Sequence, residues 1–302
     1  MSKKLVVIGS INNDLVIEVP KKPVIGETVF GRGFIQVPGG KGSNQAVAAS
    51  RLGADVSFIG AVGDDGFGAA LIESLSKNGV DIGGIKKVRG KPTATAMIIL
   101  CEGDNYIAVD QGANVAVDKK QIDDAEKLIA GADMVILQLE IPVDTVLYAI
   151  KCCKKHGIPI LLNPAPAPVK PLNEEFLEMV DLLTPNESET FALTGINPST
   201  REEAFKAAKI LTNRGVKQVV ITLGSNGCVY GSGNEFKHIP AEKVDEVIDT
   251  TAAGDSFSAA LAVSLAEGSS FDEAASFATK VGGITVTRKG AQPSLPFRQE
   301  IK

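Results

Sequence analysis

Short β-branched runs alternate with longer segments of helical periodicity along most of the chain, and no other feature limits its folding as strongly. Residues 5–8 and 56–61 read as strands, with helical patterns at 44–52 and 68–77. Further on, strand-like runs at 134–137, 159–163, 182–184 and 218–222 are interleaved with helical patterns at 122–130, 143–155, 186–193 and 201–214. Strands joined through helices of this length run parallel in one sheet with helices packed on its faces. Gly53, Gly79, Gly215 and Gly268 stand just after helical patterns, where a left-handed residue closes a helix. The expected fold class is α/β: a doubly wound, mostly parallel sheet flanked by helices.

Two stretches break the alternation. Residues 14–37 read as strand punctuated by Pro20, Pro23, Gly26 and Gly31, and residues 93–110 as a hairpin turning at 102–105. With no helix between their strands, they are expected to form a small inserted β layer, and a lid beside the ligand crevice of an open sheet is the usual task of such a layer. Val29, Ile35, Met97 and Ile99 in these segments would leave an apolar edge exposed, which pairing with a second copy would cover. The chain shows no internal repeat or low-complexity tract.

With 302 residues, 44% hydrophobic, the chain can bury a large core. The net charge of -5 and the lack of a basic stripe argue against nucleic acid as a partner. Apolar runs such as 96–100 and 134–137 fall far short of the roughly 20 residues that span a bilayer, so no membrane is expected. The amino terminus passes from Met-Ser-Lys-Lys straight into a strand-like run without a signal-peptide pattern, and the expected location is the cytoplasm. Cys101, Cys152, Cys153 and Cys228 have neither metal-site spacing nor disulfide-scaffold density and read as reduced thiols. Only His156 and His238 are available for imidazole chemistry, so catalysis is expected to rest on carboxylates.

Four segments carry residues suited to a ligand. Gly39-Gly40-Lys41-Gly42-Ser43-Asn44-Gln45 opens a helix: its glycines let a ligand approach the backbone, and Lys41 and Asn44 offer a charged donor and an amide. It is neither a Walker A loop nor a G-x-G-x-x-G fingerprint, and a structural turn capped by Ser43 or Asn44 remains the alternative. Asp249-Thr250-Thr251-Ala252-Ala253-Gly254-Asp255 precedes a helical run at 258–267, so free backbone amides can make an anion nest, with Asp255 either a base beside it or a first-turn carboxylate. In Thr184-Pro185-Asn186-Glu187-Ser188-Glu189, Asn186 and Glu189 share a helical face, which suits a hydrated Mg²⁺ and equally a capping arrangement. Thr222-Leu223-Gly224-Ser225-Asn226-Gly227 ends a strand in a glycine-rich turn, with a hairpin turn and a nucleotide contact as the two readings.

In this order, these four segments resemble the signatures of the ribokinase family, the phosphofructokinase-B-type sugar kinases. The resemblance runs from Gly9-Ser10-Ile11-Asn12-Asn13-Asp14 to the 286–294 segment, whose Thr-Arg-Lys-Gly-Ala-Gln run points to the ribose-phosphorylating members. It implies ATP-dependent phosphorylation of D-ribose at the 5-hydroxyl to give ribose 5-phosphate. A kinase for another small sugar or nucleoside, such as 2-deoxyribose, is the nearer alternative, and a non-catalytic sugar-binding regulator the remote one. By the resemblance Asp255 is the catalytic base, with Ala252, Ala253 and Gly254 forming the anion hole. Asn12, Asp14, Gly40, Lys41, Gly42, Asn44 and Glu140 match the positions that hold the sugar, together with Asp255. Asn186, Glu189, Thr222, Gly224, Ser225, Gly227, Gly254 and Thr279 match the nucleotide side, the first two with Mg²⁺. An activating K⁺ would be held by Asp249, Thr251, Thr285, Arg288, Gly290 and Ser294, Arg288 only through its carbonyl.

The resemblance further implies a core of residues 1–12, 39–92 and 112–302 carrying the nucleotide and catalytic sites. Residues 13–38 and 93–111 would be a lid that covers the sugar and pairs two copies into a homodimer. Five positions depart from the family pattern. Ser256-Phe257-Ser258-Ala259-Ala260 follows the acid where Thr-Phe-Asn-Gly-Ala is usual, and Thr279 and Lys280 stand where Asn or His and a small residue are common.

Overall fold

A computed structural model describes residues 2–102 and 104–301. The first half comprises β1 (Lys4–Ile8), β2 (Asn12–Glu18), β3 (Arg32–Gly39), α1 (Lys41–Arg51), β4 (Asp55–Gly63), α2 (Gly66–Lys77), β5 (Asp81–Val88), β6 (Ala94–Cys101), β7 (Asp104–Asp110), α3 (Lys119–Asp124), α4 (Glu126–Ala130) and β8 (Met134–Leu137). The second half adds α5 (Val143–Lys155), β9 (Ile160–Leu162), α6 (Glu174–Glu178), β10 (Leu182–Leu183), α7 (Glu187–Thr194), α8 (Arg201–Asn213), β11 (Gln218–Thr222), β12 (Cys228–Ser232), β13 (Glu235–Ile239), α9 (Ala253–Ala266) and α10 (Phe271–Val286).

The main sheet has nine strands in the order β13-β12-β11-β10-β9-β8-β1-β4-β5. From β11 to β5 every pairing is parallel, and β12 and β13 add an antiparallel hairpin at one edge. The α/β reading is borne out. Strand order reverses beside β1: the chain proceeds from β1 to β4 and β5 on one side, and from β8 outward on the other. Helices leaving the two sides go to opposite faces, which opens a crevice at the carboxyl ends of β1 and β8.

Burial on both faces follows from the period of two in the central strands. Val6, Ile8, Val135, Leu137, Ile160 and Leu162 face one core. Leu5, Val7, Met134, Ile136 and Leu161 face the other, where α9 packs. Residues 255–264 of α9 are buried all round, and their small side chains let the helix lie close to its neighbours.

A second sheet, in the order β3-β2-β6-β7, grows out of the end of β1. Asn12 pairs with Gly39 on one side and Ala94 on the other, so the two inserted segments meet at the crevice. Phe34, Ile35, Met97, Tyr106, Ile107 and Val109 are exposed on this sheet and Val24, Ile25 and Phe30 on its long loop. Of the hairpin turn expected at 102–105, Gly103 lies outside the described residues. Among the described residues no helix is long and apolar enough to cross a membrane.

Some boundaries differ from the expectations. The helix expected over 122–130 divides at Ala125, whose φ of -96° and ψ of 5° leave the α-helical region. The run expected from 258 starts five residues earlier, at Ala253, so Asp255 lies inside the first turn of α9. Gly254 and Asp255, both weak helix formers, hide that start, and tertiary packing supplies what local preference does not.

Candidate active site

The glycine-rich turn ahead of α1 is shaped by what lies against it. A methyl group at Gly39 would collide with the Asp14 carboxylate, and Gly40 has φ 92° with the Asn12 amide 2.7 Å from where its Cβ would stand. Only glycine allows the turn to run this close to the start of β2. The Asn12 side-chain oxygen accepts from Asn114 Nδ2 at 2.8 Å, and Asn114 in turn accepts from the Ile11 amide at 3.1 Å. Glu140, beyond β8, accepts from Ser10 Oγ at 2.5 Å and from the Lys41 amide at 3.2 Å, while the Gly42 amide donates to Ser10 Oγ at 3.2 Å.

Asp255 faces a cleft of about 140 Å³ that Lys41, Asn186, Glu189, Thr222, Ala252 and Gly254 also line. The structure thus brings together residues from all four candidate segments. Both carboxylate oxygens of Asp255 receive an amide hydrogen bond: Oδ2 from Asn44 at 2.9 Å and Oδ1 from Gln45 at 3.0 Å. The orientation of Gln45 is fixed by a chain of polar groups. The Thr184 carbonyl can only accept, so Asn163 presents its NH₂ to it at 2.9 Å and its oxygen to Gln45 Nε2 at 3.2 Å. Gln45 Oε1 then accepts from Gln138 Nε2 at 2.7 Å. A methyl group at Gly9 would land on the Gln138 amide, so the glycine at the end of β1 makes room for this chain.

Ala252 precedes α9 in the left-handed region, with φ 62°, and no side chain caps the helix. A non-glycine residue there costs about 1–2 kcal/mol. The Ala253 amide donates to the Thr250 carbonyl at 3.2 Å, while the Gly254 and Asp255 amides of the uncapped first turn are left for an anion, favoured further by the helix dipole. Ser258 lies against Thr184, hydroxyl to hydroxyl at 3.2 Å, and lines the cleft where the family pattern has Asn.

On the other side of the cleft, the capping reading of the Asn186 segment is the one the hydrogen bonds show. Asn186 and Glu189 form a reciprocal capping box on α7, with both hydrogen bonds at 2.9 Å, and both residues line the cleft. Thr222 lines it too. Gly224, Ser225 and Gly227 form the tight turn joining β11 to its antiparallel neighbour β12, next to the cleft without lining it. Thr279 is buried in α10 and spends its hydroxyl on the Ala275 carbonyl at 2.7 Å.

The segments read as a cation site also come together. Asp249 accepts from the Thr251 amide at 2.9 Å, its hydroxyl at 2.6 Å and the Gly290 amide at 2.8 Å. These hydrogen bonds outweigh burial and hold its carboxyl below the ordinary value. Thr285 donates to Ser256 Oγ at 2.9 Å, linking this region to the first turn of α9. Buried Ser294 turns its hydroxyl to the Ala291 carbonyl, and the Arg288 guanidinium is taken up by Glu300 at 2.5 Å.

Burial pushes the Asp255 carboxyl up, opposed by Lys41, Asn44 and Gln45. Burial likewise raises Glu189, against its Asn186 hydrogen bond and Lys41. For Lys41, burial works against the charge, but Asp255, Glu140 and Glu189 outweigh it and hold the ammonium above its usual range. Asp14 is pushed up to about 7 by burial, then by Glu140 and Asp255.

Because this value lies above the ordinary 3.8, the protonated Asp14 favours the fold fully below about pH 4, and that contribution is lost as pH rises through about 7. Asp14→Asn is therefore expected to match the parent near pH 4 and to be more stable at pH 8, by on the order of 2–4 kcal/mol. Urea denaturation at the two pH values measures this, and an equal stability difference at both would contradict it.

Sequence reading placed the ends of the network at Asn12, Asn44 and Asp255 but missed Asn114, Gln138 and Asn163, and quoted Gln45 without a role. Comparison with known proteins accounts for the pattern. Residues 2–298 match the model of the pfkB family of carbohydrate kinases. The chain is 43% identical over 300 residues to the ribokinase of Bacillus subtilis, covering 99% of this chain and 98% of that one. It is 40% identical over 301 residues to the ribokinase of Haemophilus influenzae, covering 99% and 97%. Its structure matches that of Arabidopsis thaliana ribokinase complexed with ribose and ATP, with a TM-score of 0.94 at 35% identity, over 100% of this chain and 98% of that one. Sequence, fold and cleft agree, and the chain belongs to the pfkB family of carbohydrate kinases.

Proposed function

We infer that this chain is an ATP-dependent D-ribose kinase that transfers the γ-phosphoryl group to the 5-hydroxyl and releases ribose 5-phosphate. The observation that carries this reading is Asp255: a carboxylate held by two amide donors, facing a cleft beside the uncapped start of α9. Asp255 takes the proton from the sugar's primary hydroxyl as its oxygen attacks phosphorus, which is the task of a general base. The loop of Ala252, Ala253 and Gly254 receives the charge that develops on the transferred group, chiefly through the Gly254 amide because that of Ala253 donates to the Thr250 carbonyl, and Lys41 adds a cation beside it. Asn12, Asp14, Gly40, Gly42, Asn44 and Glu140 hold the sugar, whose hydroxyls need both donors and acceptors once water is expelled.

Thr222 and the Gly224–Gly227 turn, with Ser225, lie on the nucleotide side, and Thr279 stands behind it. Two ions fit the residues present. The capping box occupies Asn186 Oδ1 and Glu189 Oε2, leaving the other Glu189 oxygen for a hydrated Mg²⁺, in keeping with that ion's preference for few protein ligands. Bound there with ATP, Mg²⁺ supplies charge neutralisation on the phosphates. For K⁺, hard oxygens suit, and Asp249 with the carbonyls of Thr251, Thr285, Arg288, Gly290 and Ser294 would provide them; the diverted Arg288 side chain leaves its carbonyl as the donor. Free thiols and an ATP substrate suit the reducing cytoplasm as the place of action.

With ribose, Mg²⁺ and K⁺, coupled measurement of ADP release is expected to show sugar-dependent turnover, slower without K⁺ and poorer with 2-deoxyribose, which leaves polar partners unpaired. Asp255→Asn should lower kcat by about 10²–10⁴-fold with ribose binding retained. Absence of sugar-dependent ADP release would overturn the assignment.

Gln45→Leu removes one of the two amide donors that oppose the upward push of burial on the Asp255 carboxyl. The acidic limb of its kcat profile is expected to move to higher pH, with KM for ATP little changed. A uniform loss of activity across pH would indicate a purely structural role for the amide.

The apolar residues on the second sheet support a homodimer formed through the lid. Sedimentation at micromolar concentration is expected to give a dimer for the parent chain and a monomer for Met97→Glu; a monomeric parent would refute the pairing.

A further inference from the structure

The last turn of α5 carries a group that phosphoryl transfer does not use. The helix leaves the carboxyl end of β8 and returns to the amino end of β9, so this turn lies at the opposite end of the sheet from the cleft. Cys152 and His156 are four residues apart, on one helical face, and Glu126 at the start of α4 meets them. One ligand atom from each of the three residues lies within 4.8 Å of the others, with Glu126 Oε1 2.8 Å from His156 Nε2. We propose that Cys152, His156 and Glu126 bind one Zn²⁺.

A tetrahedral zinc ion with bonds of about 2.0–2.3 Å sets its ligand atoms about 3.5 Å apart, so small side-chain rotations bring these three into place. One sulfur, one imidazole and one carboxylate form a mixed set that suits zinc over the hard cations of the cleft, with water as fourth ligand. The place already attracts positive charge: Lys155 Nζ sits 2.7 Å from the same Glu126 oxygen, at the negative end of the α5 dipole. Asp123, which accepts from the Tyr148 hydroxyl at 2.6 Å, is a further carboxylate near the thiol. On binding, the Cys152 S–H bond breaks, its proton passes to solvent, a sulfur–zinc bond forms, and Lys155 gives up its ion pair. Cys152 and Glu126 are half-buried and His156 is exposed, so an ion can enter, whereas Cys101, Cys153 and Cys228 are buried.

Cobalt(II) is the probe, because its thiolate complexes show a charge-transfer absorption that carboxylate complexes lack. Titrating the metal-free 302-residue chain with Co²⁺ is expected to give this band, saturating at one equivalent and reversed by Zn²⁺. Cys152→Ser should abolish the band, His156→Ala should weaken binding at least about tenfold, and Lys155→Ala, which removes the competing cation, should tighten it. None of these residues touches the cleft, so retained ribose phosphorylation in each variant shows that it is folded. No charge-transfer band in the parent, a band surviving Cys152→Ser, or affinity indifferent to His156→Ala would each overturn the site.

Discussion

A carboxylate leaves water only if something else holds its charge, and the cleft is organised around meeting that demand at Asp255. Two amide donors and the nearby Lys41 ammonium offset part of the lost solvation, burial remaining the larger influence on the acid. Each donor is itself held: Asn44 and Gln45 lie in the first turns of α1, and Gln45 is locked by groups at the ends of β8 and β9. The Asp255 carboxyl is therefore aimed by three separate elements, and preorganisation of this kind spares a reaction the cost of rearranging dipoles as charge moves.

The topology explains why those elements meet. The ends of β1 and β8 flank the place where strand order reverses, and Gly9 and Gln138 immediately follow these strands. The same strand end leads into β2, so the second sheet begins where the polar network begins. Asn12 thus belongs at once to the polar groups of the crevice and to the β layer, and Asp14, two residues on in β2, lies close enough to feel the charges of Glu140 and Asp255.

Much of this was legible in the sequence. The α/β alternation, the inserted β segments and most of the residues lining the cleft came from local patterns: Gly39 to Asn44 as a turn before a helix, Asp255 beside small residues, Asn186 three before Glu189. What escaped was non-local. Gln138 and Asn163 look like ordinary polar residues after strands, and only the pairing of β1 with β8 and β8 with β9 brings them to Gln45. The start of α9 escaped because Ala252 takes a conformation that its residue type disfavours. The group around Cys152 escaped because its two halves come from different helices and only two histidines were available to suggest metal chemistry.

That left-handed alanine has an evolutionary corollary. Glycine would relax the bend but let the unfolded and unliganded loop wander over many more shapes. A laboratory selection for heat tolerance and one for turnover would therefore pull position 252 through different physical terms, one reading local strain and the other the readiness of the loop to receive an anion. The chain keeps the tense, ready form.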